Sequence, residues 1–317
     1  MKIYILCPAK RVTGGVELAH QLCHALNTLT DISTFMWYMD IDNTTDETAV
    51  VDDIAPEDYA PYLTSCAKSL SEIDIEGNVV VFPEGLTGEM NRIKKAKKVL
   101  WWMSVDNYLE STGEINLKDI SRDVCLHLYQ SYYAQDYVSR KIPGAKGMFL
   151  SDYINEEHGR FIYPADMRKN IALYNPRKGY KEIEPLIHKA DWIQWVPLFG
   201  MTREKVILMM QLGKIYVDFG NHPGKDRIPR EAASNGCVVI TNRKGSAAYN
   251  EDVPIPEEYK FKEPEKSMDE IDGLMHEICD NFSEHQARFK AYRDAIKSEK
   301  ADFDRDVCKL AEMIKEC

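Results

Sequence analysis

Short apolar runs recur along this chain, separated by polar loops and amphipathic stretches. In the first half they cover residues 3–7, 32–38, 78–82, 98–103, 124–129 and 147–150. Unbroken apolar runs of this length predict strands covered on both faces, as in a parallel sheet. After the first run, residues 16–29 put Leu18, Leu22, Ala25, Leu26 and Leu29 on one helical face. Further helices are expected over 56–70, 89–97 and 130–140, the last with Ser131 placed as its N-cap. His127 lies inside an apolar run and reads as a core histidine. Of Trp101 and Trp102, one is expected in the core and the other near a ligand edge.

Residues 155–169 are polar, contain Gly159 and Pro164, and read as a linker. A second series of apolar runs follows at 171–174, 192–196, 214–218 and 237–240, with a helix capped by Thr202 and running to 212. Pro229 suits a first helical turn, where a missing N–H costs nothing. Gly236 suits the left-handed end of that helix. Helical patterns over 268–279, 284–297 and 303–314 close the chain. The alternation predicts an α/β protein with two Rossmann-like domains, over 1–165 and 166–317.

The formal net charge of −11 argues against a broad nucleic-acid surface and leaves room for a local cationic pocket. Eight cysteines include no CxxC pair, so buried thiols in a reducing compartment are expected. The first apolar run is only a strand long, and Lys10 and Arg11 follow it, which predicts neither a leader nor a membrane span. A cytoplasmic protein is the expectation, with peripheral contact at the inner membrane face left open. The acidic stretch 40–53 lacks an ordered ligand pattern and reads as a solvated loop, not a metal site.

Chemistry concentrates where strands are expected to end. After the run 214–218 come Gly224, Lys225, Arg227 and Arg230, then Glu231 just inside a helix. Free N–H groups and the helix dipole favour an anion there, and the three cations add to it. A carboxylate at Glu231 can accept ribose hydroxyl hydrogen bonds; the alternative is a solvated loop whose charges pair locally. Arg177 and Lys178 form a second cationic turn, after 171–174. Gly14 and Gly15 permit close approach of backbone to a ligand, without dinucleotide-fingerprint spacing. Asp106, beyond the two tryptophans, is the best carboxylate for an acceptor hydroxyl; capping its own helix is the alternative.

The segment from Arg230-Glu231-Ala232-Ala233 through Gly236 to Ile240 resembles the donor-binding segment of GT-B nucleotide-sugar glycosyltransferases, in their glycogen-synthase-like and mannosyltransferase-like group. The resemblance covers most of the chain and is most specific from 171 to 240. It implies two Rossmann-like domains facing a central cleft, an acceptor-side domain first and a donor-binding domain second. Glu231 corresponds to the family's second, ribose-binding glutamate. The first glutamate falls at Pro223, so the pair is broken and its role passes to His222, Lys225 or Asp226, or is missing. Arg177, Lys178, Gly224, Lys225, Arg227 and Arg230 then bind the diphosphate, and Gly14 and Gly15 face donor and acceptor. Asp106 and Lys225 are the catalytic candidates.

The implied activity is transfer of a hexose from a UDP- or GDP-sugar to a hydroxyl of a glycan or lipid-linked acceptor, in surface polysaccharide synthesis. Retention is favoured over inversion, and no metal or separate cofactor is expected. A non-catalytic sugar-nucleotide-binding or structural subunit and a nucleotide-sugar epimerase are the alternatives.

Overall fold

The computed structural model describes residues 1–42, 49–51, 55–111 and 116–317, without the side chain of Ser111. Most of the acidic stretch 40–53 therefore lies outside the described residues. Ten of the expected strands form: β1 (Ile3–Pro8), β2 (Thr34–Met39), β3 (Val79–Pro83), β4 (Lys97–Trp102), β5 (Val124–Tyr129), β6 (Gly147–Phe149), β7 (Lys169–Tyr174), β8 (Gln194–Pro197), β9 (Gly213–Asp218) and β10 (Val238–Asn242). A two-residue strand, β11 (Lys260–Phe261), joins β10 in a segment read as irregular. It is too short to leave a periodic pattern.

Two parallel sheets result. The first has the order β2-β1-β3-β4-β5-β6 and the second β11-β10-β9-β7-β8. Counted within each sheet, both begin 2-1-3-4-5. In such doubly wound sheets the order reverses between the first and third strands, and crossovers leave on opposite faces there. The C-terminal ends of β1 and β3, and of β7 and β9, are thus the two places where the fold opens a crevice.

Packing divides the chain into Met1–Asp152 with Lys300–Cys317, and Tyr153–Glu299. The sequence boundary at 165/166 differs from this division for a local reason. Ile154 is buried in the second core, and Asn235 bonds His158 and Gly159. The last helix, Lys290–Lys315, contributes residues to both units.

Each sheet is sealed by apolar side chains. In the first unit Trp37, Phe82, Leu100 and Trp102 are fully buried; in the second, Leu173, Tyr216, Val239 and Ile278. Trp101 and Trp102 are both core, contrary to the expected split. The Trp101 indole donates to the Leu150 carbonyl (3.0 Å) and the Trp102 indole to Nδ1 of His127 (3.0 Å). Burial holds His127 far down, at about 4, so it is the expected neutral core histidine.

One expected helix breaks into short pieces and another is displaced as a 3₁₀ segment. Residues 56–70 give one 3₁₀ segment, Glu57–Tyr62, which contains Pro61 and ends at left-handed Leu63, and then a single turn, Leu70–Ile73. Proline removes a donor and crowds the preceding turn, which outweighs the apolar pattern. In place of the helix expected over 89–97, residues 84–92 are 3₁₀, kinked at Leu86, and β4 begins at Lys97.

Candidate functional site

In the second unit the turns after β7 and β9 pack directly together. Gly179 has φ 71°, and a Cβ there would collide with the Gly220 backbone. A Cβ on Gly220 would in turn strike the stem of Lys178. The two glycines let both turns close on the strand-order reversal. Lys178 reaches across and pairs with Asp226. Arg177 stays exposed on the rim, its guanidinium 4.8 Å from the Phe199 ring in the loop after β8.

Asp226 also accepts from Nδ1 of His222 at 2.7 Å. Burial pushes the Asp226 carboxyl up, but His222 and Lys178 outweigh it and the net shift is down. Among the described residues, Nε2 of buried His222 has no hydrogen-bond partner, and it lies 3.7 Å from Asp218. Asp218 is itself held by the Tyr216 hydroxyl (3.1 Å) and the Gly220 amide (3.0 Å). Ligand atoms of Asp218, His222 and Asp226 fall within 4.8 Å of one another, close enough for a metal ion. The Lys178 ammonium occupies Asp226, so a cation would have to displace it.

The expected convergence of Lys225, Arg227 and Arg230 is only partly realised. Arg230 has no exposed surface. Its guanidinium donates to Glu299 (2.8 Å) and to the carbonyls of Asp226 (3.1 Å) and Lys225 (2.9 Å). Lys225 is also paired with Glu299, at 2.9 Å. Arg230 thus ties this loop to the last helix and offers no exposed surface to an anion. The charge of Lys225 is thus shared with Glu299. Arg227 opens the helix Arg227–Ser234 and is partly exposed, with Gly224 buried in the loop before it. Glu231 is partly exposed in that helix, 3.7 Å from Nε2 of His158. Burial lowers the His158 pKa, against the opposing effect of Glu231.

In the first unit Thr13 caps the helix Gly14–Leu29, accepting from the Val16 amide (3.3 Å), so Gly14 and Gly15 form its first turn and not a loop. Among the described residues, a Cβ on Gly15 would meet only Met103 Cε within 4 Å, at 3.9 Å, so their packing does not demand glycine there. Gly15 borders a cavity of about 390 Å³ at the ends of β1 and β3, where this sheet's order reverses. The carboxylates on its wall are Glu84 and Glu110. Asp106 is not on that wall; it accepts from the Tyr133 hydroxyl at 3.1 Å.

Glu84 follows β3 directly and is buried. It accepts from the Met103 amide (2.8 Å) and the Asn107 side chain (3.4 Å). Burial outweighs these bonds and raises its pKa to about 7. Sequence reading passed over Glu84, Asp218 and Glu299. The first two carried a usable signal, a carboxylate at the end of a buried parallel strand. Glu299 carried none, because on a charged helix it looks like any solvated glutamate.

No protein-family model and no curated protein matches this chain. Solved structures do, over the whole length. Sucrose-phosphate synthase from Thermosynechococcus elongatus matches with TM-score 0.67 at 13% identity, covering 100% of both chains. The lipopolysaccharide outer core galactosyltransferase WaaB matches at 0.66 and 13%, covering 99% of this chain and 100% of that one. HepE of Anabaena in complex with UDP matches at 0.63 and 10%, with the same coverage.

Proposed function

We propose, from the premise that this chain has the GT-B fold, that it moves a sugar from a nucleoside diphosphate donor to a hydroxyl acceptor. One observation carries the reading. Lys178, in the turn after β7, lies against Gly220, in the turn after β9, at the strand-order reversal, with Arg177 exposed beside it. A cationic rim over two tightly packed backbone turns suits a diphosphate, which needs charge and close approach together. Glu231, farther along the same loop and helix, suits a ribose. Two of the structural neighbours were solved with UDP or UDP-2-fluoro glucose, which supports a uridine donor.

In this reading Arg177 and Arg227 offset the charge that develops on the leaving diphosphate, and Lys178 and Lys225 add what their pairs with Asp226 and Glu299 leave them. Retention is favoured over inversion, and a glycan or lipid-linked hydroxyl is the acceptor class. Pro223, which puts no carboxylate where the family has its first glutamate, favours the second reading, a donor-binding subunit without turnover.

Titration calorimetry of the full chain with UDP, GDP, ADP and TDP tests the proposal. At least one should bind, UDP first, and Lys178→Ala should weaken it. A folded chain that binds none of the four refutes donor binding. Nucleotide binding with no release of UDP from any UDP-hexose selects the second reading.

A further inference from the structure

The cavity of the first unit has a floor of Leu6, Val16, Ala19 and Met103 and a rim that includes Thr13, Asn107 and Glu110. Its volume of about 390 Å³ is within the range of small-molecule sites, roughly 300–1,000 Å³. A hydroxyl, an amide and a carboxylate around an apolar floor match a pyranose, which has an apolar face and a hydroxyl edge.

The charge of the wall narrows the choice. Glu84 and Glu110 both face the cavity, and none of the described residues lining it is a lysine, arginine or histidine. The nearest cations along the chain are engaged elsewhere, Lys10 with Asp40 (3.7 Å) and Arg11 with Asp42 (2.6 Å). A phosphate in this space would meet two carboxyl groups and no counter-charge, and burying a charge unpaired is costly. The position is also the one the fold leaves open, at the reversal between β1 and β3.

We propose that this cavity binds an uncharged, unphosphorylated sugar unit of the acceptor and rejects its phosphorylated form. The proposal rests on the transfer reading for its need of a hydroxyl acceptor. The hydroxyls bond to Asn107, Thr13 and Glu110 on the rim, and the apolar floor takes the face of the ring. Glu84, below the rim, adds negative charge against anions as the pH rises past the middle of its titration.

Saturation-transfer NMR of the full chain tests this, with the free hexoses glucose, galactose and mannose and the 6-phosphate of each. At least one hexose should bind about tenfold more tightly than its 6-phosphate, the size expected for one or two nearby unscreened charges. Asn107→Ala should weaken that hexose. Glu110→Lys, at an exposed position, should cut the discrimination about tenfold while the fold persists. A preferred 6-phosphate, no binding by any of the six, or unchanged discrimination in Glu110→Lys overturns the proposal. UDP titrated into the same samples separates the two readings. Hexose binding without nucleotide binding sinks the transfer reading alone. Nucleotide binding with a preferred 6-phosphate sinks this one alone.

Discussion

Replacing Glu84 by Gln should change how the stability of this protein depends on pH. The wild-type carboxyl titrates at about 7 in the folded chain, against an ordinary 4.5. Its folded pKa is raised, so between these values the folded state holds a proton that the unfolded state has lost. Stability contributed at Glu84 is then greatest below about 4.5 and declines as pH rises to about 7. At 1.36 kcal/mol per pKa unit, the decline is about 3 kcal/mol. Glutamine has no proton to lose, and its amide oxygen can still accept from Met103. Urea unfolding of both proteins from pH 4.5 to 8, followed by tryptophan fluorescence, gives the difference directly. Every other titrating group cancels in the subtraction. Wild type should lose about 3 kcal/mol relative to Glu84→Gln across this window and nothing more above it. A difference that stays flat would mean that Glu84 is solvated, or that its bonds to Met103 and Asn107 outweigh burial.

Glu231→Gln should weaken UDP binding about tenfold to a hundredfold, the cost of removing a charged acceptor from two ribose hydroxyls, as read by calorimetry; normal binding with lost transfer would place the residue at the sugar. Glu299→Gln leaves Arg230 charged and buried with a neutral partner, and should cost about 3–5 kcal/mol in chemical denaturation, whereas a change under about 1 kcal/mol would mean that the Arg230–Glu299 pair is not formed. Transfer should persist in EDTA, because Lys178 already neutralises Asp226; complete loss restored by Mg²⁺ or Mn²⁺ would show that a metal takes its place. Asp106→Asn should weaken the Tyr133 contact by about 1–2 kcal/mol and leave product formation near normal, and a large loss of transfer from a stably folded variant would return Asp106 to the reaction.

What the sequence determined by itself was all the parallel strands of the described residues except β11, and the places where chemistry could stand. Unbroken apolar runs such as Val79-Val80-Val81-Phe82 can only be strands covered on both faces, and the turns after such strands are where ligands bind. Capping was equally local: Ser131 accepts from Ala134, Thr202 from Lys205, and Gly236 takes its left-handed conformation, as their chemistry required. The use of each charge was not local. Lys225, Arg227 and Arg230 are equivalent cations in the sequence, yet Glu299, 69 positions beyond Arg230, takes up Arg230 and Lys225. The pairing of Lys178 with Asp226 likewise depends on two glycines from separate turns meeting. Asp106 and Glu84 are both carboxylates just after strands, and only the packing puts Glu84 on the cavity wall and turns Asp106 toward Tyr133. A side chain's type sets what it can bond to, but partner and burial depend on distant segments, and no period or spacing along the chain records them.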